Sequence, residues 1–202
     1  MGVAPMAAVR SRDIAYLIIV NGPGRDALSQ GAYPLVQLLR KSGIGEAEAE
    51  KAYDTMRRVV AILRANGTAE EAMAAGNGLE KYPALRADYR VDETGIHTLQ
   101  ALLKDPVWSL EADQFLRHVD QPTLAIFGKR DALVDWRESI GVYQSAFRDS
   151  GNRDLTVKVF DDADHEMQPS PEKRSDSTKF VRGYLTTVIS WLEARGFTEV
   201  RR

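Results

Sequence analysis

Three short apolar segments predict the strands of a parallel sheet. Residues 14–20, from Ile14 to Val20, are apolar throughout and are followed by the turn sequence Asn-Gly-Pro-Gly. Residues 123–127 form a second apolar run between a proline and a glycine, whereas residues 155–160 alternate apolar and polar side chains. Continuous apolar runs are typical of strands buried on both faces, and alternation is typical of a partly solvated strand. We therefore expect the first two strands to be central and the third to lie nearer an edge.

The chain between the first two strands has helical periodicity instead. Tyr53, Met56 and Val60 recur at the spacing of one helix face. Thr68, followed three residues later by Glu71, is the sequence signature of a capping box that starts a further helix. Several helices are therefore predicted between the first two strands, although a crossover between neighbouring parallel strands needs only one.

These patterns together predict the α/β class, with about three parallel strands flanked by helices. We predict a single domain over residues 1–202, with residues 25–117 inserted in it as a helical lid over the sheet. A separate helical subdomain without a role at the active site is the alternative.

Polar side chains follow the second and third predicted strands. Asp131 comes just after Gly128, and His165 ends the sequence Asp-Asp-Ala-Asp-His that follows residue 160. Ligands and catalytic side chains collect at the carboxyl ends of parallel strands, so we expect Asp131 and His165 to be neighbours. A carboxylate beside a histidine fixes its tautomer and stabilises the imidazolium during proton transfer. The alternatives are an Asp131 that only binds turn amides and a His165 that is a solvated loop residue.

Composition removes several classes of function. The 27 basic and 29 acidic residues leave a net charge of -2 without a basic stripe, which argues against nucleic acid as a partner. The absence of cysteine excludes disulfides, thiolate metal sites and a cysteine nucleophile. No apolar run approaches the roughly 18 residues of a membrane span, so a cytoplasmic location is expected. The acidic residues around His165 lack the spacing of a calcium loop, and we expect neither a metal nor a cofactor.

Motifs at both ends of the chain match a known family in order. They are Ala4-Pro5-Met6, Arg10-Ser11-Arg12-Asp13, Asn21-Gly22-Pro23-Gly24 and residues 122–134, 160–165 and 184–192. With these motifs the chain resembles the C-terminal portion of an α/β-hydrolase, in a bacterial serine esterase group. The resemblance implies hydrolysis of a small-molecule carboxylic ester without a cofactor. It also implies that Asp131 is the acid and His165 the base of a Ser-Asp-His triad.

The chain departs from this family at the nucleophile. The family pattern would place the serine two or three residues before Met1, and no Gly-x-Ser occurs in the 202 residues. The oxyanion-hole donors would be missing as well. We therefore expect no triad-dependent esterase activity from this chain alone. A misplaced start codon is one explanation. A non-catalytic interaction module that forms a homo-oligomer through residues 14–20 is the alternative function.

Overall fold

The computed structural model describes residues 3–85, 92–105, 108, 110–174 and 179–197. These residues form two compact units. The described residues of Arg25–Glu111 make a helical unit, and those of Gly2–Gly24 and Ala112–Arg202 make an α/β unit. The predicted α/β class is confirmed, because helices flank a parallel sheet in the second unit.

The sheet contains three strands in the order β1-β2-β3. They are β1 (Leu17–Val20), β2 (Thr123–Gly128) and β3 (Leu155–Phe160), and both pairings are parallel. Leu17 pairs with Thr123, which pairs with Leu155, so the three strands begin at the same level. Their carboxyl ends consequently meet at one edge of the sheet.

The described residues contain eight α-helices and three short 3-10 helices. The α-helices are α1 (Val3–Arg10), α2 (Ala27–Lys41), α3 (Glu46–Arg64), α4 (Ala69–Ala75), α5 (Glu93–Lys104), α6 (Ala112–Leu116), α7 (Trp136–Ser150) and α8 (Tyr184–Glu193). The 3-10 helices are Leu79–Lys81, Pro83–Leu85 and Pro171–Lys173. None of the helices in this part of the chain is long and apolar enough to cross a membrane.

Strand β1 has one partner strand in the described sheet and lies at its edge. Its apolar composition is explained by helices on both of its faces. Leu17 and Ile19 pack in the core formed with α1, α6 and α7. Ile18 and Val20 pack on the opposite face, in the core formed with α8. Burial of both faces, rather than two neighbouring strands, accounts for the continuous apolar run.

The helical unit has two clusters of buried side chains. The first joins α2 to α3 and includes Val36, Leu39 and Met56. The second joins α3, α4 and α5 and includes Leu63 and Ile96.

The predicted capping box is present at the start of α4. Glu71 Oε2 accepts a hydrogen bond from the Thr68 backbone N–H at 2.8 Å, and Thr68 Oγ1 accepts one from the Glu71 N–H at 3.1 Å. The box satisfies two amide groups that the first turn of a helix leaves without a helical partner.

The helical unit ends earlier than the predicted insertion of residues 25–117. Its last residue is Glu111, since Ala112 and Leu116 are buried in the core of the α/β unit. Residues 86–91, 106, 107 and 109 of the predicted insertion lie outside the described residues. A role as a lid stays a prediction.

Candidate active site

The carboxyl ends of β2 and β3 bring Asp131 and His165 together. His165 Nδ1 lies 2.8 Å from Asp131 Oδ2. The Asp131 side chain is completely buried, whereas that of His165 is 37% exposed. Residues 34 positions apart in the chain thus form one hydrogen-bonded pair at the edge where the strands end. The structure places the two residues as the sequence predicts, and their catalytic roles stay a prediction.

Asp131 uses both of its carboxylate oxygens. While Oδ2 faces the imidazole, Oδ1 accepts hydrogen bonds from the backbone N–H groups of Leu133 at 2.7 Å and Val134 at 3.0 Å. The hydrogen bonds of Oδ1 are those expected if Asp131 only bound turn amides, which was the alternative interpretation of the sequence. The turn holds the carboxylate in place, so the turn role and the pairing with His165 are compatible.

The contact with Asp131 determines which nitrogen of His165 carries the proton. A carboxylate only accepts hydrogen bonds, so the neutral imidazole must bear its proton on Nδ1. Nε2 then has a free lone pair. Among the described residues, His165 has no other side-chain hydrogen bond. The partly exposed imidazole can therefore take a proton from a substrate or a nucleophile through Nε2.

The backbone of the loop that carries His165 is ordered by Asp164. Asp164 Oδ1 accepts hydrogen bonds from the N–H groups of Glu166 at 3.1 Å and Gln168 at 2.8 Å. Its Oδ2 lies 2.5 Å from Nη2 of Arg174. Asp164 is thus fully engaged in shaping the loop.

The other acidic residues before His165 have cationic partners as well. Lys129 Nζ lies 2.6 Å from Asp161, and Lys173 Nζ lies 3.1 Å from Asp162. The hydrogen bond from Lys173 lowers the pKa of Asp162. In the described part of the chain, no group of three or more Asp, Glu, His or Cys side chains is arranged to hold a metal ion.

A glycine at the end of β2 allows the His165 loop to approach the strand. A Cβ added to Gly128 would lie 2.4 Å from the carbonyl oxygen of Ala163 and 2.7 Å from that of Asp164. These distances are too short for any side chain, and the contacting atoms belong to the backbone. The Arg130 N–H also donates to the Ala163 carbonyl at 2.9 Å. Gly128 is therefore needed for close packing rather than for a special backbone angle.

Sequence reasoning interpreted Asn21 as part of the turn that ends β1 and of a family motif, and gave its side chain no role of its own. The structure shows that Asn21 is 3% exposed and contacts the other two strand ends through its side chain. Its Oδ1 lies 2.8 Å from the Gly128 N–H nitrogen, and its Nδ2 lies 2.8 Å from the His165 carbonyl oxygen. The available signal in the sequence was an asparagine directly after a buried strand, a residue type that tolerates left-handed backbone.

Within the described residues, none of the other histidines and serines has a hydrogen bond to Asp131 or His165. His97 lies in the helical unit with a side chain that is 60% exposed, and His118 is also exposed. Ser139 is buried, but its hydroxyl donates to the Asp135 carbonyl at 2.7 Å and accepts from the Gly24 N–H at 3.2 Å. No described hydrogen bond places a serine hydroxyl on His165.

Asp135, a second acid near the end of β2, has a structural role. Its side chain accepts hydrogen bonds from the N–H groups of Arg137 at 3.1 Å and Glu138 at 3.2 Å, and so caps α7. Asp135, followed three residues later by Glu138, also has the sequence pattern of a helix N-cap. Asp131, not Asp135, is the acid that faces His165.

Comparison of the chain with family models, with curated proteins and with solved structures gives no match. The interpretation of the site therefore depends on its geometry and on the sequence motifs.

Proposed function

We propose that Asp131 and His165 are the acid and the base of a serine-dependent triad that hydrolyses carboxylic esters. The observation that supports this best is the 2.8 Å hydrogen bond between a fully buried carboxylate and a partly exposed imidazole. This arrangement leaves His165 Nε2 as a base and gives the imidazolium a fixed negative partner. The sequence motifs that resemble an α/β-hydrolase esterase group add a second line of support.

In the proposed reaction, His165 Nε2 removes the proton of a serine hydroxyl as the serine oxygen attacks the ester carbonyl. Asp131 stabilises the imidazolium that forms. The imidazolium then gives its proton to the leaving alcohol, and an acyl-serine remains. Water hydrolyses the acyl-serine with His165 again acting as base, which releases the carboxylic acid. No cofactor is needed.

The proposal requires a serine and oxyanion-hole donors from polypeptide other than these 202 residues, since the chain contains no Gly-x-Ser. The helical unit is proposed to act as the lid of the same enzyme. In the chain, the helical unit follows the carboxyl end of β1. Asp131 follows the carboxyl end of β2, and His165 follows that of β3.

The DNA upstream of the Met1 codon provides the first test. The proposal expects an in-frame Gly-x-Ser-x-Gly shortly before Met1. The extended protein should then hydrolyse p-nitrophenyl acetate and react with a fluorophosphonate probe. His165→Ala should lower the rate about a million-fold and Asp131→Asn about ten-thousand-fold, by analogy with other triads.

His97→Ala is the matched control, because His97 is exposed and belongs to the helical unit. It should leave labelling and turnover unchanged. An upstream sequence without the serine motif, or labelling that survives His165→Ala, would refute the triad.

The 202-residue chain itself should show no triad-dependent activity. Its rate with p-nitrophenyl acetate should equal that of its own His165→Ala variant. A large loss of rate on this substitution would show that the chain contains its own nucleophile.

A second candidate function is a non-catalytic module that forms a homo-oligomer through β1. The supporting observation is that β1 has one strand partner in the described sheet. The N–H groups of Leu17 and Asn21 donate toward β2. Because alternate residues of a strand point their N–H groups in opposite directions, those of Ile18 and Val20 face the free edge. Such an edge can pair with a second copy of the chain.

Light scattering after size-exclusion chromatography tests this candidate. The module hypothesis expects a dimer or a larger assembly, and Ile18→Pro should convert it to monomer. Proline removes an N–H group on the free side while the bonds to β2 remain. A stable, soluble monomer of the unmodified chain would contradict the hypothesis.

A further inference from the structure

Asn21 stands where β1 ends and has an unusual backbone conformation. Its φ is +48°, in the left-handed region that asparagine tolerates better than most residues. Its own N–H still donates to the Ile126 carbonyl at 2.8 Å, which extends the pairing with β2. This conformation belongs to a residue that is 3% exposed and whose side chain is directed into the protein.

The side-chain amide of Asn21 connects the ends of all three strands. Oδ1 accepts the N–H of Gly128, the last residue of β2, at 2.8 Å. Nδ2 donates to the carbonyl oxygens of His165 at 2.8 Å and Asp164 at 3.2 Å, in the loop after β3. The sulfur of Met167 lies 3.4 Å from the same nitrogen.

These partners require an amide. The Gly128 N–H needs an acceptor and the His165 carbonyl needs a donor, which fixes the orientation of the amide group. Aspartate has the same length as asparagine but offers only acceptors, and serine or alanine cannot reach all of these partners. The site thus selects both the length and the chemistry of Asn21.

The His165 loop contacts the end of β2 at the same level. The carbonyl groups of Ala163 and Asp164 pass directly over Gly128, where they leave no room for a Cβ. Met167, at the far end of the loop, is 1% exposed. The loop is therefore held from two sides, and the Asn21 amide is the contact that reaches the main chain of His165 itself.

We propose that Asn21 is a positioning residue that holds the main chain of His165 so that its imidazole meets Asp131. It touches neither substrate nor the reacting atoms and acts through the peptide groups on either side of the His165 Cα. The importance of this role for catalysis rests on the proposed function. The positioning itself does not, because it concerns the geometry of a hydrogen-bonded pair in the 202-residue chain.

The experiment compares Asn21→Gly and Asn21→Asp with the control Asn66→Gly. Asn66 is a second asparagine with positive φ, +62°, but it is exposed and lies in the helical unit. Both glycine variants relieve the same kind of backbone strain, and among the described hydrogen bonds those to the His165 loop belong to Asn21 and not to Asn66. The pair therefore separates the effect of the side chain from that of the backbone.

The readout is the ¹⁵N-edited NMR spectrum of the His165 imidazole in the folded chain. The unmodified protein and Asn66→Gly should show a proton bound to Nδ1 that is protected from solvent exchange. In Asn21→Gly and Asn21→Asp this proton should exchange at least about tenfold faster. A residue with a merely structural role would lower the unfolding midpoint without changing this signal in the folded protein.

Unchanged exchange of the Nδ1 proton in folded Asn21→Gly would overturn the proposal. If Asn21→Gly does not fold, Asn21→Asp decides, because aspartate tolerates the left-handed backbone and keeps the acceptor for Gly128. The proposal would also be overturned if the unmodified chain showed no protected Nδ1 proton, since there would then be no hydrogen-bonded pair to position. If the esterase proposal is wrong, the fluorophosphonate probe will not label the extended protein in a His165-dependent way, whereas the NMR result for Asn21 will still be as expected.

Discussion

Replacement of Asp131 by alanine tests whether the buried carboxylate has the three partners that the structure gives it. The carboxylate accepts hydrogen bonds from Leu133 N–H, Val134 N–H and His165 Nδ1 at 2.7, 3.0 and 2.8 Å. In Asp131→Ala, the buried Val134 N–H loses its acceptor, which costs about 1–3 kcal/mol. The N–H of Leu133 and the imidazole are partly exposed and can bind water, so each costs about 0.5–1.5 kcal/mol.

Removal of a buried charge also relieves its desolvation cost, which reduces the total. We therefore expect Asp131→Ala to lower the free energy of unfolding by about 2–4 kcal/mol. Asp131→Asn keeps an acceptor for the two backbone N–H groups but turns an N–H toward His165. It should cost about 1 kcal/mol and favour the wrong tautomer of His165.

Asp135→Ala is the matched control, because Asp135 caps α7 in the same unit and does not contact His165 in the described hydrogen bonds. Loss of this cap should cost about 1 kcal/mol. The measurement is urea unfolding followed by tryptophan fluorescence in a Trp108→Phe background. Trp136 and Trp191, both in the α/β unit, then supply the signal. If Asp131→Ala costs no more than Asp135→Ala, the carboxylate is not a buried acceptor with three partners, and the reasoning fails.

Four further substitutions test other contacts in the fold. Gly128→Ala should destabilise the chain by about 1–3 kcal/mol in urea unfolding, because its Cβ would collide with two backbone carbonyls. Gly141→Ala, within α7 where a Cβ meets no atom within 4 Å, should instead stabilise it by up to about 1 kcal/mol. Thr68→Ala should cost the helical unit about 1 kcal/mol in thermal unfolding, through loss of the capping box. Lys173→Ala should raise the pKa of Asp162 toward its ordinary value in a carboxyl NMR titration, because Lys173 is the main cause of its lowered pKa. An unchanged Asp162 titration would contradict this assignment.

The sequence by itself determined the elements whose signals are local. The apolar run at residues 123–127 located β2, and the alternating pattern at residues 155–160 located β3. The Thr68–Glu71 and Asp135 caps mark the starts of two helices. The pairing of Asp131 with His165 was also predictable. Both residues follow neighbouring strands of a parallel sheet, so the topology alone brings them to one edge.

Element boundaries depended on partners that are distant in the chain. Residues 14–16 were predicted in the first strand, but β1 begins at Leu17 because Leu17 pairs with Thr123, the first residue of β2. The final helix begins only at Tyr184, although the apolar residues Phe180 and Val181 precede it at helical spacing. Gly183 has a φ of +87°, which interrupts helical geometry.

Only the tertiary structure identified the contacts that hold the His165 loop. Asn21 lies 144 positions from His165 in the chain, and its amide bonds to backbone groups, which every residue has. The pattern of apolar and polar side chains therefore does not indicate which backbone groups Asn21 binds. Gly128 likewise resembles an ordinary strand-ending glycine until the backbone of the loop is seen against it. A periodic pattern reports which face of an element is buried, whereas the partner of a single buried polar group is decided by the fold.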